Sequence, residues 1–300
     1  MIIITDFNQV NQIKEPIAAA LGYFDGLHLG HQSIIGHTNV PGMKRGIITF
    51  KNQPASYIAH THKPYRLISL EDKIDMMEEM GTDYLFLYEF TDEIRNISKE
   101  DFIEQFLYRC NVKHAVAGFN FSFGRNKEGD TAFLLSECRR LGISTEIIAP
   151  VTYDGEVISS TLIRNKLYKG DVVSAAKMLS RPFYLRGTVS AGKKLGRQFG
   201  FPTANIHVDE EIIVPKWGVY RTDVIVGDNK YKSITNVGNN PTIQGDPLRV
   251  ETHLLDVDIE LYGQTIKIEF IERIRDEIKF DSLEALRAQV LHDIECVRNS

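Results

Sequence analysis

Two histidines, His28 and His31, stand three residues apart in the stretch GYFDGLHLGH, with Gly22, Gly26 and Gly30 around them. The stretch overlaps the apolar run IAAALGYF and leads into LGHQSIIGHT, which reads as a helix start. A helix N-terminus presents free N–H groups and partial positive charge, and both favour phosphate. Glycines let the backbone approach a ligand closely. Residues 28 and 31 lie one helical turn apart, so both imidazoles can face one ligand. The arrangement suits a phosphate cradle with two added donors. Solvated or hydrogen-bonded histidines near a turn are the plainer alternative. Zinc would need a third ligand, and none lies at a suitable spacing.

The second half carries its own candidates. GTVSAGKK, Gly187 to Lys194, nearly spells a phosphate-binding P-loop but ends on Lys194 where Ser or Thr would bind the metal. It also sits among short strands, which excludes the P-loop reading. Glu251, in VETHLLD, reads by itself as an exposed salt-bridge partner on a strand.

The elements that must position these residues change character along the chain. RGIITF (45–50), TDYLFLYEF (82–90), HAVAGF (114–119) and STEIIAPV (144–151) read as strands. Between them, 69–80, 98–109 and 130–141 each open on a Ser or Asp cap and show helical spacing of apolar residues. Alternation of this kind predicts parallel βαβ units in a doubly wound sheet. Ligands in such a sheet sit beyond the carboxyl ends of the strands. Residues 159–179 read as two short helices broken at Gly170, with Asp171 as the second cap. From residue 181 onward some five short strands follow one another without helices, which predicts a small antiparallel barrel or sandwich. A last helix carries Leu283, Leu286, Val290, Ile294 and Val297 on one face. The expected fold class is α/β plus β: a Rossmann-like doubly wound domain over 1–180, then a small antiparallel β-barrel with a terminal helix over 181–300.

Bulk properties agree with a soluble globular protein. Three hundred residues predict about two domains. A net charge of −5 with mixed signs argues against a general nucleic-acid binder. Cys110, Cys138 and Cys296 are scattered and odd in number, and read as buried apolar residues of a reducing, cytoplasmic compartment. No signal peptide and no membrane span is expected. The expected partners are small molecules, with no nucleic acid and no membrane, on a monomer or weak oligomer.

Here a resemblance enters. HLGH resembles the HxGH signature of nucleotidyltransferases, and GYFDGLHLGHQ is similar to the flavin-adenylating branch of that superfamily. ISSTLIR (158–164) and GFNFSFGRNKEGD (118–130) resemble two further elements of the branch, in the same order. GTVSAGKKLGRQFGFPTAN resembles the riboflavin kinase signature with its PTAN box. TNVGNNPTI (235–243) and RIRDEIKF (273–280) match as well, so the chain is identified over its whole length as resembling bifunctional prokaryotic riboflavin kinase/FAD synthetases.

The resemblance implies two reactions: ATP-dependent phosphorylation of riboflavin to FMN, and adenylylation of FMN to FAD with release of pyrophosphate. For the second it implies that His28 and His31 donate to phosphate oxygens and that Arg164 neutralises the leaving pyrophosphate. It places Gly22, Phe24, Asp25, Gly30, Ser160 and Thr161 around the nucleotide, and Asn120, Phe121 and Phe123 at the flavin, where plain core packing is the alternative for each aromatic. For the kinase it implies Mg²⁺ held by Thr203 and Asn205, loop closure at Gly192 and Gly196, Glu251 as base and Arg275 at the flavin. One departure stands out: the family reads TFxPHP where this chain has TFKNQP, so Asn52 and Gln53 replace a Pro-His pair. A phosphate contact there would lack the charge a histidine can carry. Two rivals remain open: a chain with only one activity, and a flavin-binding regulator without turnover.

Overall fold

The computed structural model describes residues 1–59, 66–190, 201–238, 249–257 and 259–298. The chain divides into two compact units, Met1–Ser160 and Thr161–Ser300.

In the first unit, among the described residues, six parallel strands run β1 (Ile2–Ile4), β2 (Ile17–Leu21), β3 (Lys44–Phe50), β4 (Tyr84–Tyr88), β5 (Val112–Gly118) and β6 (Ser144–Ile148). Their spatial order is β1-β4-β3-β2-β5-β6. Apart from β1 this is the doubly wound order, reversing direction between β2 and β5. Both faces are covered. Ala19 and Leu21 join Phe86, Phe102 and Phe106 on one side, while Ala20 joins Leu27, Ile47, Met77 and Leu85 on the other. Strands buried on both faces read as continuous apolar runs rather than alternating ones, and IAAAL is such a run. The helices begin where the caps predict, with Ser69, Ser98 and Asp130 each accepting the N–H of the residue three further on. The helix expected over 98–109 is α-helical only over Lys99–Ile103 and widens to a π turn over Glu104–Tyr108. Strand β1 is an edge strand in a segment that reads as a lead-in; three residues are too few for a pattern. A two-stranded hairpin, β7 (Thr152–Tyr153) and β8 (Glu156–Val157), closes the unit.

In the second unit, the two short helices Ser160–Tyr168 and Val172–Leu179 are separated at Gly170, whose φ of +81° suits glycine, and Asp171 caps the second. Six described strands then close a barrel: β9 (Phe183–Ser190), β10 (Ala204–Val208), β11 (Gly218–Val226), β12 (Asn229–Gly238), β13 (Arg249–Leu254) and β14 (Thr265–Arg275). The strand beyond the expected five is β10, which carries the PTAN asparagine. Its Ala204 and Ile206 point inward and Asn205 outward, the period of two that a half-buried strand requires.

The barrel interior holds a buried hydroxyl chain. Thr222 Oγ1 lies 2.7 Å from both Ser233 Oγ and Thr235 Oγ1, and Thr235 Oγ1 donates to Thr252 Oγ1 at 2.9 Å. All four residues are fully buried. Buried hydroxyls are costly unless paired, and here they satisfy one another across β11, β12 and β13. On the outer face the helix Leu283–Arg298 seals Val219, Ile234 and Leu255 with Ile294 and Val297. Replacing Thr235 by the isosteric Val leaves Thr252 without its donor and Thr222 with one partner fewer. The barrel's urea transition in the full chain should therefore lose about 1–3 kcal/mol.

Candidate functional site

The crevice of a doubly wound sheet lies where the strand order reverses, at the carboxyl ends of β2 and β5. The residues that follow β2 are Gly22–His31, and those that follow β5 are Phe119 and Asn120. The topology therefore brings the two-histidine turn and Asn120 to one edge of the sheet. Asn120 is exposed, as is Phe119, an aromatic that the sequence reading passed over. Phe123, expected at the flavin, is instead part of the core, in tilted contact with Phe102 and with Gly129 tight against its ring. It shapes this loop from beneath.

The turn after β2 is tightly built. Phe24, Gly26 and Leu27 all have positive φ, at 59°, 79° and 45°. Side-chain residues in that region are strained by about 1–3 kcal/mol each unless their surroundings hold them. Gly22 lets the Phe24 ring pack closely, since a Cβ there would lie 3.0 Å from it. Asp25 is buried and its carboxylate accepts the Leu67 N–H at 2.9 Å, while its carbonyl accepts the Ser160 hydroxyl at 3.0 Å. Asp25 thus pins the turn.

His28 is the N-cap of the helix Leu29–Gly36, its Nδ1 accepting the His31 N–H at 3.3 Å. That bond places the His28 ring proton on Nε2. The two imidazoles stack with centroids 3.5 Å apart, and Phe24 meets His31 edge-on at 5.3 Å. Gly30 leaves room for this stack, since a Cβ would lie 3.3 Å from the His28 ring. Burial, then the neighbouring His28, then Lys73 hold His31 well below the usual histidine range. His31 is therefore neutral near pH 7.

Ser160 begins the helix Ser160–Tyr168, with Thr161 exposed beside it. Arg164 follows one turn later on the same helix, is buried, and donates to Thr161 Oγ1 at 3.4 Å.

The substituted KNQP loop has a structural role. The Asn52 side chain donates to Phe90 O at 2.9 Å and accepts the Phe90 N–H at 2.7 Å. Gln53 is buried and accepts from Ser56 at 3.2 Å. The loop is thereby clamped by the Asn52 amide to Phe90, just past the end of β4.

Sequence reasoning missed Lys73. It lies on the helix Leu70–Glu79, is 4% exposed, and its ammonium meets Tyr23 O at 2.5 Å, Thr49 Oγ1 at 3.0 Å and Phe50 O at 3.4 Å. A signal was present: Leu70, Lys73, Ile74 and Met77 share one face, so a lysine occupies a core position of the helical pattern.

In the barrel, register aligns Ser190, Asn205, Glu251 and Asn236 across β9, β10, β13 and β12. The neighbouring row, Ala204, Thr252 and Thr235, faces inward, so this one faces outward. All of Asn205, Glu251 and Asn236 are partly exposed. Burial raises the Glu251 carboxyl above its ordinary range, and Arg249, 3.8 Å away, opposes the rise. Thr203 precedes β10 and lines a cleft with Val189, Leu254 and Leu261. Thr203 and Asn205 offer hard, neutral oxygens beside a carboxylate. These fit magnesium that shares nucleotide phosphates and keeps waters.

Arg275 has a different task from the one expected. Its Nε and Nη2 both donate to the buried Asp293 carboxylate, at 2.9 and 2.7 Å, and Nη1 donates to Asp276 O at 3.0 Å. It clamps the C-terminal helix to the barrel instead of standing free for a ligand. Gly192 and Gly196 lie outside the described residues.

Comparison with known proteins agrees with this division. A family model for FAD synthetase matches residues 10–162, and one for riboflavin kinase matches residues 179–300. A bifunctional riboflavin kinase/FMN adenylyltransferase of Bacillus subtilis is 36% identical over 282 residues, covering 91% of this chain and 89% of its own. The Escherichia coli K12 protein of that name is 33% identical over 288 residues, covering 93% and 91%. A crystal structure of a Streptococcus pneumoniae protein named as a macrolide-efflux protein superposes with TM-score 0.90 at 30% identity over the whole of both chains. Among the described residues of this chain, no helix is long and apolar enough to cross a membrane. With both halves matched in order along one chain, the protein belongs to the bifunctional riboflavin kinase/FMN adenylyltransferase family.

Proposed function

We propose that the parallel-sheet unit adenylylates FMN and that the barrel phosphorylates riboflavin, so that one chain makes FAD from riboflavin and two molecules of ATP. The observation that most supports the reading is the outward row Asn205–Glu251–Asn236 in one unit and the stacked His28–His31 pair in the other. Each set is held in place by its own unit's packing. The functional domains assigned on this reading are 1–180 and 181–300, with the helices of 160–179 leading from one to the other.

In the sheet unit an oxygen of the FMN phosphate attacks the α-phosphorus of ATP, and the bond to the β-phosphate oxygen breaks. Little covalent help is required; alignment and stabilisation of charge on the phosphate oxygens do the work. His28 donates through Nε2–H, and the neutral His31 donates beside it. Ser160 and Thr161 at a helix start add donors, and Arg164 offsets charge on the departing pyrophosphate. Asn120 and the exposed Phe119 lie at the strand end where the flavin would rest.

In the barrel the terminal ribityl hydroxyl of riboflavin gives its proton to Glu251 as its oxygen bonds to the γ-phosphorus, and ADP leaves. A carboxylate raised by burial is a stronger base than an exposed one. Thr203 and Asn205 would hold Mg²⁺, which neutralises phosphate charge. We place the nucleotide in the cleft beside Thr203. Cys110 and Cys138 are buried, whereas Cys296, expected to be buried, is exposed; we assign the chain a reducing, cytoplasmic setting, as a monomer or weak oligomer that acts on small molecules.

Chromatography of flavins after incubation with riboflavin, ATP and Mg²⁺ tests the reading: FMN and then FAD should appear. FMN alone would support the single-activity rival, and bound flavin with no product would support the regulator. His31→Ala should lower FAD formation from FMN by about 10²–10³-fold and leave riboflavin phosphorylation intact. Glu251→Gln should do the reverse, with a loss of about 10²–10⁴-fold in FMN formation. Because Glu251 must be ionised to act and its pKa is raised, kcat/KM for riboflavin should fall on acidification at a higher pH than an ordinary glutamate would dictate. A pH profile without that acid limb would remove Glu251 as the base.

A further inference from the structure

The turn that carries the two histidines rests on a buried cation that the reaction scheme above does not use. Lys73 Nζ has three acceptors, Tyr23 O, Thr49 Oγ1 and Phe50 O, matching the three hydrogens of an ammonium. Two of these come from the end of β3 and one from the turn after β2. Thr49 Oγ1 itself donates to Tyr23 O at 3.0 Å, so its lone pair is available to Lys73. The ammonium also lies over the Tyr23 ring, 4.2 Å from its centroid. Lysines are almost never this buried unless paired, and a core lysine that merely filled space would be replaced by Met at little cost. Here every hydrogen of the head group holds backbone or hydroxyl at the strand ends where the ligand-binding edge begins.

We propose that Lys73 is a positioning residue of the adenylyl-transfer site, tying the Gly22–His31 turn to the end of β3 and presenting a fixed positive charge beneath it. Tyr23 immediately precedes Phe24, the first of the three positive-φ residues, so anchoring its carbonyl fixes the direction in which the turn leaves the sheet. The helix bearing His31 begins after four further residues. The charged and titratable groups that face Lys73 are Asp25 on the turn, His31 on the following helix and Arg66 on the approach to its own helix. Asp25 favours the ammonium, whereas burial and Arg66 oppose it, and the balance brings Lys73 down to about 7. The charge beneath the turn is thus present in mildly acidic solution and is lost as pH rises through neutrality. A polyanionic nucleotide bound above would favour the charged form.

The inference rests on the sheet unit being the adenylyltransferase, and the test separates the two. The full-length chain is assayed for both steps, and His31 is followed by NMR of labelled imidazole. FAD formation from FMN by the wild-type chain checks the functional reading; its absence would overturn that reading without touching the His31 measurement. In Lys73→Met, adenylyl transfer should fall about 10²-fold, because misplacement by an ångström costs that much, while riboflavin phosphorylation is unchanged. The His31 titration should move to higher pH, since a neighbouring cation has gone. If Lys73→Met fails to fold, Lys73→Arg decides: kcat/KM for FMN in the wild type should decline above about 7, and the permanently charged guanidinium should abolish that decline. Wild-type adenylyl transfer and an unmoved His31 in Lys73→Met would overturn the proposal, as would an alkaline limb that persists unchanged in Lys73→Arg.

Discussion

A left-handed backbone turn at the end of a buried strand is the constraint on which the sheet unit's chemistry depends. Phe24 and Leu27 adopt a conformation that side-chain-bearing residues avoid, and do so on either side of Gly26. Such a turn persists only when its surroundings over-determine it. Here they do so from several directions. Lys73 and Thr49 hold Tyr23 O, Leu67 N–H holds the Asp25 carboxylate, Ser160 holds the Asp25 carbonyl, and the Phe24 ring tucks beneath Gly22. The result is a helix that starts at the sheet's crevice with His28 as its cap and His31 stacked upon it. Burial then removes charge from His31.

The barrel reaches its chemistry by a different route. Strand alternation sorts residues into an inner row of hydroxyls and an outer row of amides and a carboxylate, with neighbouring positions on β10, β12 and β13 facing opposite ways. The inner hydroxyls satisfy one another, which couples β11, β12 and β13 in register. A slip by one residue would turn Glu251 inward and Thr252 outward. The C-terminal helix covers part of the same outer face, fastened by the Arg275–Asp293 pair, and leaves the Asn205–Glu251–Asn236 row partly exposed.

The departure from the family pattern at Asn52 and Gln53 acquires a physical account from the same geometry. The Asn52 amide makes a two-way bond with the Phe90 backbone, joining the ends of β3 and β4. The histidine of the family pattern is absent from that loop, and the buried Lys73 holds Thr49 and Phe50 at the same end of β3.

Much was legible in the residues alone. Caps at Ser69, Ser98, Asp130 and Asp171, the apolar run of β2, the alternation of strands and helices, and the switch to short strands after 181 each follow from local propensity and periodicity. The motifs around His28, His31, Ser160, Asn205 and Glu251 were readable because their spacing is local. Strand β1 and the π turn were not, since three residues carry no period and a π turn has no composition of its own. Phe123 and Arg275 were placed at the flavin by motif, yet one packs in the core and the other pairs with Asp293, because a motif records which residue stands at a position and not which neighbour competes for it. What the chain by itself determined was two units and the identity of their chemical groups. What only the tertiary structure decided was charge and direction: that His31 is neutral, that Lys73 is buried, and which face of β13 carries Glu251. Those depend on contacts between segments far apart in the chain, such as Lys73 with Tyr23 and Thr49, which no local pattern encodes.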